Sequence, residues 1–162
     1  MSRYPTHAQS GEQPLTLRIP PCGRAIVLDT NVVLDWLLFR DPSSAPFAAA
    51  IACQAVRWVA SLAMREELAT VLKRGLALAR STEAAVVLAA WDAHVTLVEA
   101  APILPSAMGL QCSDPDDQKF LDLAHAQSAS WLLSRDRAVL KLARRARHFG
   151  VAISAPERWS AR

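Results

Sequence analysis

The chain is poor in cysteine, and the little it has is scattered. Cys22, Cys53 and Cys112 lie far apart, with no Cys-x-x-Cys pair and no histidine pair near them. That pattern excludes a disulfide framework and a zinc site, and it predicts a reduced, cytoplasmic setting. No apolar run approaches the ~20 residues that a membrane helix needs, so no membrane association is expected. The opening stretch MSRYPTHAQSGEQP is polar and lacks the apolar centre of a signal peptide. No internal repeat is visible.

What is present fits one domain with a sizeable core. The chain has 162 residues, 52% of them apolar and 20% charged, with a formal charge of +3. Residues 1–23 carry Pro5, Gly11, Pro14, Pro20, Pro21 and Gly23 and read as a loose extension. Residues 24–162 read as the domain. Short continuous apolar runs (AIVLD, VRWVA, VTLVE, SWLLS, VAIS) alternate with helical stretches: residues 31–39, 44–54, 62–74, 82–94, a helix beginning at Pro115, and 137–149. Asp41-Pro42 breaks the first helix; Ser61, Ser81 or Thr82, and Asp114 are read as N-caps, with Pro115 at the first helical position and Gly75 as a stop. Alternation of this kind predicts an α/β fold. It is a parallel sheet of about five strands in three α/β/α layers, with Trp58, Trp91 and Trp131 in the core.

Four carboxylates recur where that pattern places the C-terminal end of a strand or a facing helix: Asp29, Glu67, Asp117 and Asp136. Open α/β sheets bind ligands at that edge, and hard divalent cations need converging carboxylate oxygens. Helical phase separates the candidates. Met64, Leu68, Val71 and Leu72 form one stripe; Glu67 falls at its edge and Glu66 points away. Phase alone leaves a solvated glutamate pair as an equal alternative. On the helix after Asp114, Phe120, Leu121 and Ala124 define the buried face. Asp117 shares that face one turn earlier, while Asp122 is expected to point to solvent. Support of the first turn explains the inward aim of Asp117 less well than a site does. Asp29 ends a buried strand, with Asn31 available to cap the next helix. Asp136 is as well explained by capping as by a site. On the helix from Arg137, the core stripe is Val139, Leu140, Ala143 and Ala146; Arg137, Lys141, Arg144, Arg145 and His148 form the opposite, basic side. Such a face is usually just solvated, but a basic stripe beside a carboxylate cluster also suits a nuclease.

The pieces VLDTNVVLDWLL, SLAMREELATVLKR, CSDPDDQKFLDLA and WLLSRDRAVLKL, in this order, resemble the PIN-domain nucleases. They are most similar to the VapC-like toxin branch of toxin–antitoxin systems, and VAISAPERW is similar to that branch's closing strand and tail. The likeness covers roughly residues 25–159. It implies an Mg²⁺- or Mn²⁺-dependent endoribonuclease that leaves 5′-phosphate and 3′-hydroxyl ends. Asp29, Glu67, Asp117 and Asp136 match the four acidic positions, Thr30 and Asn31 the polar pair after the first, and Ser134 the hydroxyl before the last. Arg135 stands where the branch often has glycine; there a cation contacts substrate phosphate or crowds the pocket. Arg135, Arg137, Lys141 and Arg144 are the candidate RNA contacts. The resemblance further implies a small antitoxin partner and a homodimer. Two rivals remain. A phospho-acceptor receiver domain would need an acidic pair after the first strand and a lysine ending the last, and VAIS has none. A non-catalytic RNA-binding or interaction module would keep the fold without the chemistry.

Overall fold

The computed structural model describes residues 23–75, 81–105 and 108–161. The expectation for the N-terminal extension therefore lies outside the described residues, except at Gly23. So does the capping by Ser81 or Thr82, whose side chains are not described. Five parallel strands form one sheet: β1 (Arg24–Leu28), β2 (Val56–Ala60), β3 (Thr96–Leu97), β4 (Trp131–Leu133) and β5 (Ala152–Ser154), in the order β3-β2-β1-β4-β5. All pairings are parallel. The helices are α1 (Thr30–Leu37), α2 (Ala45–Ala52), α3 (Leu62–Gly75), α4 (Ser81–His94), α5 (Gln118–Ala126), α6 (Arg137–Leu140) and α7 (Ala143–Ala146).

Right-handed crossovers place α1 to α4 on one face and α5 to α7 on the other. In keeping with that, α1, α3 and α4 pack together, α5 lies on β1 and β4, and α6 and α7 lie on β5. Central strands buried on both faces must be apolar throughout, and Ile26, Val27, Leu132 and Leu133 are fully buried. Trp58, Trp91 and Trp131 are core residues. Trp58 stacks edge-on against Trp91 at 5.7 Å, and Trp131 against Trp159 at 5.6 Å. Gly23 enters β1 with φ +126°, and a Cβ there would sit 3.0 Å from the carbonyl oxygen of Gln54. Only glycine satisfies both the dihedral and the approach.

Four expectations need correction. β3 is two residues rather than five. It is an edge strand pairing only Val59 with Thr96 and Ala60 with Leu97. The stretch 137–149 is not one helix but α6, a turn, α7 and a 3-10 turn (Arg147–Phe149). There the Leu142 amide bonds the carbonyl of Val139, three residues back, and Leu142 becomes buried in place of half-buried Leu140 and Ala143. On α3, Met64, Leu68 and Leu72 are buried but Val71 is exposed. On α5, Asp122 does not face solvent: it is 4% exposed, because the segment after β3 folds over the helix. Its carboxylate accepts from the Leu104 amide at 3.1 Å and from Gln118 Nε2 at 2.8 Å.

Candidate carboxylate site at the sheet's switch point

The chain leaves β1 toward β2 on one side and returns to β4 on the other, so the gap beyond the carboxyl ends of β1 and β4 is a topological switch point. Leu28 is in register with Leu133, and the Asp29 amide donates to the Leu133 carbonyl at 3.0 Å. The next residues on the two strands, Asp29 and Ser134, therefore stand side by side. Ser134 Oγ donates to Asp29 Oδ2 at 2.6 Å and accepts from the Asp136 amide at 2.9 Å. One fully buried hydroxyl thus ties the first acidic residue to the loop that carries the last.

Asp29 is 2% exposed and is itself the N-cap of α1, Oδ1 accepting from the Asn31 amide at 3.2 Å. Asn31, the residue that the sequence offers as a cap, instead lies inside the helix. The chain turns one residue earlier, and the helix begins at Thr30. Thr30 Oγ1 donates to Glu67 Oε1 at 2.9 Å, which brings α3 to the rim. Of the two glutamates Glu66 and Glu67, the outer one is exposed and Glu67 is half-buried in this contact. Asp136 is the N-cap of α6, with Oδ1 accepting from the Ala138 amide at 2.5 Å. A carboxylate has about four acceptor sites, so the cap does not exhaust it. Asp117 ends the 3-10 turn Pro115–Asp117 that Asp114 caps, and it stands half-buried at the head of α5.

These carboxylates act on one another. Burial raises the Asp29 carboxyl above its ordinary value, the Ser134 and Asn31 hydrogen bonds pull it back, and the charges of Glu67 and Asp136 raise it again. Asp117 is pushed up to about 6, by burial first and then by Asp29, Asp136 and Asp114, with Lys119 opposing. Cys112 lies close enough for the same acids to raise its thiol beyond what burial does. The four acidic residues thus share one electrostatic environment. Among the described residues, no three Asp, Glu, His or Cys side chains are already drawn into a metal cage. The donor set is nonetheless all oxygen and its negative charge is mutually repulsive, which fits a hard divalent cation.

The basic residues divide. Arg137, Lys141 and Arg144 are exposed. Arg135 turns to a set of acids beside the site: Nε meets Asp35 Oδ2 at 2.5 Å, Nη1 meets Glu157, Nη2 donates to Ser43 Oγ at 3.0 Å, and Asp41 lies 3.9 Å away. Its guanidinium fork joins the loop before Asp136 to α1 and to the turns at Pro42–Ser44 and Pro156–Arg158. Two contributors were not singled out from the sequence. Lys119 pairs with Glu67, and Gln118 bonds the Cys112 amide, the Leu110 carbonyl and Asp122. The position of Lys119 two residues after Asp117 was a readable signal; the loop contacts of Gln118 had none.

A five-stranded parallel α/β domain with acids gathered at its switch point is the PIN class of architecture. A family model described as "PIN domain" matches residues 25–138, and the chain belongs to the PIN-domain family. It is similar in fold to a chain in the crystal structure of VapBC2 from Rickettsia felis bound to a DNA fragment from their promoter. The TM-score is 0.59 and the identity 13%, over 81% of this chain and 98% of that one. No curated protein matches the chain.

Proposed function

We propose that this protein is a divalent-metal-dependent endoribonuclease, a PIN-domain toxin of the VapC kind. The observation that carries the reading is the acid cluster at the switch point, where the charges of Glu67 and Asp136 act on Asp29 and those of Asp29 and Asp136 act on Asp117. Asp29 and Asp117 would hold the principal Mg²⁺ or Mn²⁺, and Glu67 and Asp136 would complete its shell or hold a second ion. A cation in such a site supplies a water of lowered pKa and neutralises charge on the scissile phosphate. The chain's own residues prepare that site. Ser134 favours the ionised form of Asp29 and fixes its carboxylate, Thr30 and Asn31 orient Glu67 and the cap, and Asp136 is anchored by its own helix. Exposed Arg137, Lys141 and Arg144 would hold the RNA backbone, and each lost contact would flatten the salt dependence of binding. The guanidinium of Arg135 is engaged by carboxylates, so in this reading it supports the loop instead of touching RNA.

A small antitoxin is the proposed partner, by likeness to a structure described as a VapBC pair. A homodimer and a cytoplasmic location belong to the same proposal. No helix among the described residues is long and apolar enough to cross a membrane. The test is incubation of the full chain with labelled RNA, with Mg²⁺ or Mn²⁺ and with chelator. Cleavage only with metal supports the reading. RNA bound but never shortened would favour the non-catalytic module.

A further inference from the structure

Among the described residues, Lys119 is a cation that faces the acid cluster, pairing with Glu67 and acting on Asp117. It is the second residue of α5, two residues past the turn that ends at Asp117. Its ammonium meets Glu67 Oε2 at 2.5 Å, donates to the Asp116 carbonyl and lies 4.9 Å from the centre of the Phe120 ring. Thr30 already holds the other Glu67 oxygen. Each oxygen of this carboxylate therefore already has one partner, a hydroxyl on one and a full positive charge on the other. The ammonium also spans two walls of the site, from α3 to the turn bearing Asp117. Its charge opposes the repulsion that raises Asp117.

We infer that Lys119 is a built-in placeholder for the divalent cation, neutralising Glu67 in the metal-free protein and competing with the metal for that carboxylate. This rests on the metal-dependent reading above and adds a positioning residue to it. An ammonium and a dication drawn to the same Glu67 carboxylate repel each other and divide its negative charge, so metal binding weakens the Lys119–Glu67 pair. The pair is partly exposed, so the competition it imposes is modest. Ion pairs of that kind change an equilibrium by about two- to fivefold.

The experiment is Mn²⁺ binding to the full chain by titration calorimetry, comparing wild type, Lys119→Met and Lys119→Gln, the last keeping an N–H donor for the Asp116 carbonyl. The account expects both variants to bind Mn²⁺ about two- to fivefold more tightly and to melt lower than wild type in chelator, with Mn²⁺ closing the gap. Should Lys119→Met fail to fold, Lys119→Gln carries the comparison. In a Glu67→Gln background the Lys119 effect should vanish, because the competition acts through Glu67. Equal or weaker Mn²⁺ affinity in the Lys119 variants, with wild type binding normally, overturns the placeholder and leaves the nuclease reading standing. Absence of Mn²⁺ binding in every variant overturns both.

Discussion

Replacing Ser134 with alanine probes the joint on which the site is built. The hydroxyl is buried, donates to a carboxylate at 2.6 Å and accepts from the Asp136 amide at 2.9 Å. Removing it leaves Asp29 Oδ2 without its donor and the Asp136 amide without its acceptor, with only the Asn31 amide still on Asp29. Hydrogen bonds to charged groups are worth about 1.5–3 kcal/mol net, so the variant should lose about 2 kcal/mol near neutral pH by urea unfolding in chelator. The loss has a sign in pH. The Ser134 bond lowers the Asp29 pKa, so without it the carboxyl rises further above its ordinary 3.8. A raised carboxyl removes stability as pH rises through the folded pKa, so the deficit should be largest near neutrality and shrink in acid, where Asp29 is protonated in both proteins. The acidic limb of RNA cleavage should move to higher pH for the same reason. Ser134→Thr, which keeps the hydroxyl, should restore most of both effects. A pH-independent deficit under about 0.5 kcal/mol, with the acidic limb unmoved, would refute the proposed coupling of Ser134 to Asp29.

Other perturbations carry their own signs. Asp117 sits at about 6 in the folded chain against an ordinary 3.8, so between those values the folded state holds the extra proton, and metal-free stability should fall as pH rises through that window. The ceiling is about 3 kcal/mol, and solvent screening at a half-buried group reduces it to about 1–2 kcal/mol; urea melts in chelator should show the slope in wild type and not in Asp117→Asn. Arg135→Ala should cost about 1–2 kcal/mol in a salt-sensitive way, and Arg135→Lys should rescue little, since an ammonium cannot reproduce the fork; unchanged stability with weakened RNA binding would instead make Arg135 a substrate contact. Asp122→Ala should cost about 2–3 kcal/mol by thermal or urea unfolding, because the Leu104 amide and Gln118 lose a buried acceptor; a neutral substitution would contradict that bond.

What the sequence could and could not disclose follows from the range of the forces involved. β1, β2, β4 and β5 were legible because a strand buried on both faces must be a continuous apolar run, and such runs are visible locally. α3 and the turn at Pro115 were legible through their helical phase, cap and proline. Asp122 misled because helical phase describes one helix, whereas the Leu104 amide arrives from eighteen residues away. The break after Leu140 is likewise tertiary: Leu142 is pulled into the core, and an i−3 bond tightens the turn to let it in. At the site, the order of the acidic residues could be read, but the Ser134 joint depends on the β1–β4 register. The grip of Arg135 depends on acids up to a hundred residues distant. Neither is written in local periodicity.

The measurement that bears most directly on the whole account is cleavage of labelled RNA by the wild-type chain and by Asp29→Asn, each with Mg²⁺ or Mn²⁺ and with chelator. Asparagine is as good an N-cap as aspartate, so the variant should keep α1 and fold normally while losing one negative charge at the centre of the site. The account predicts metal-dependent cleavage by wild type, none detectable in chelator, and none by the folded variant. Undiminished cleavage by Asp29→Asn would contradict it.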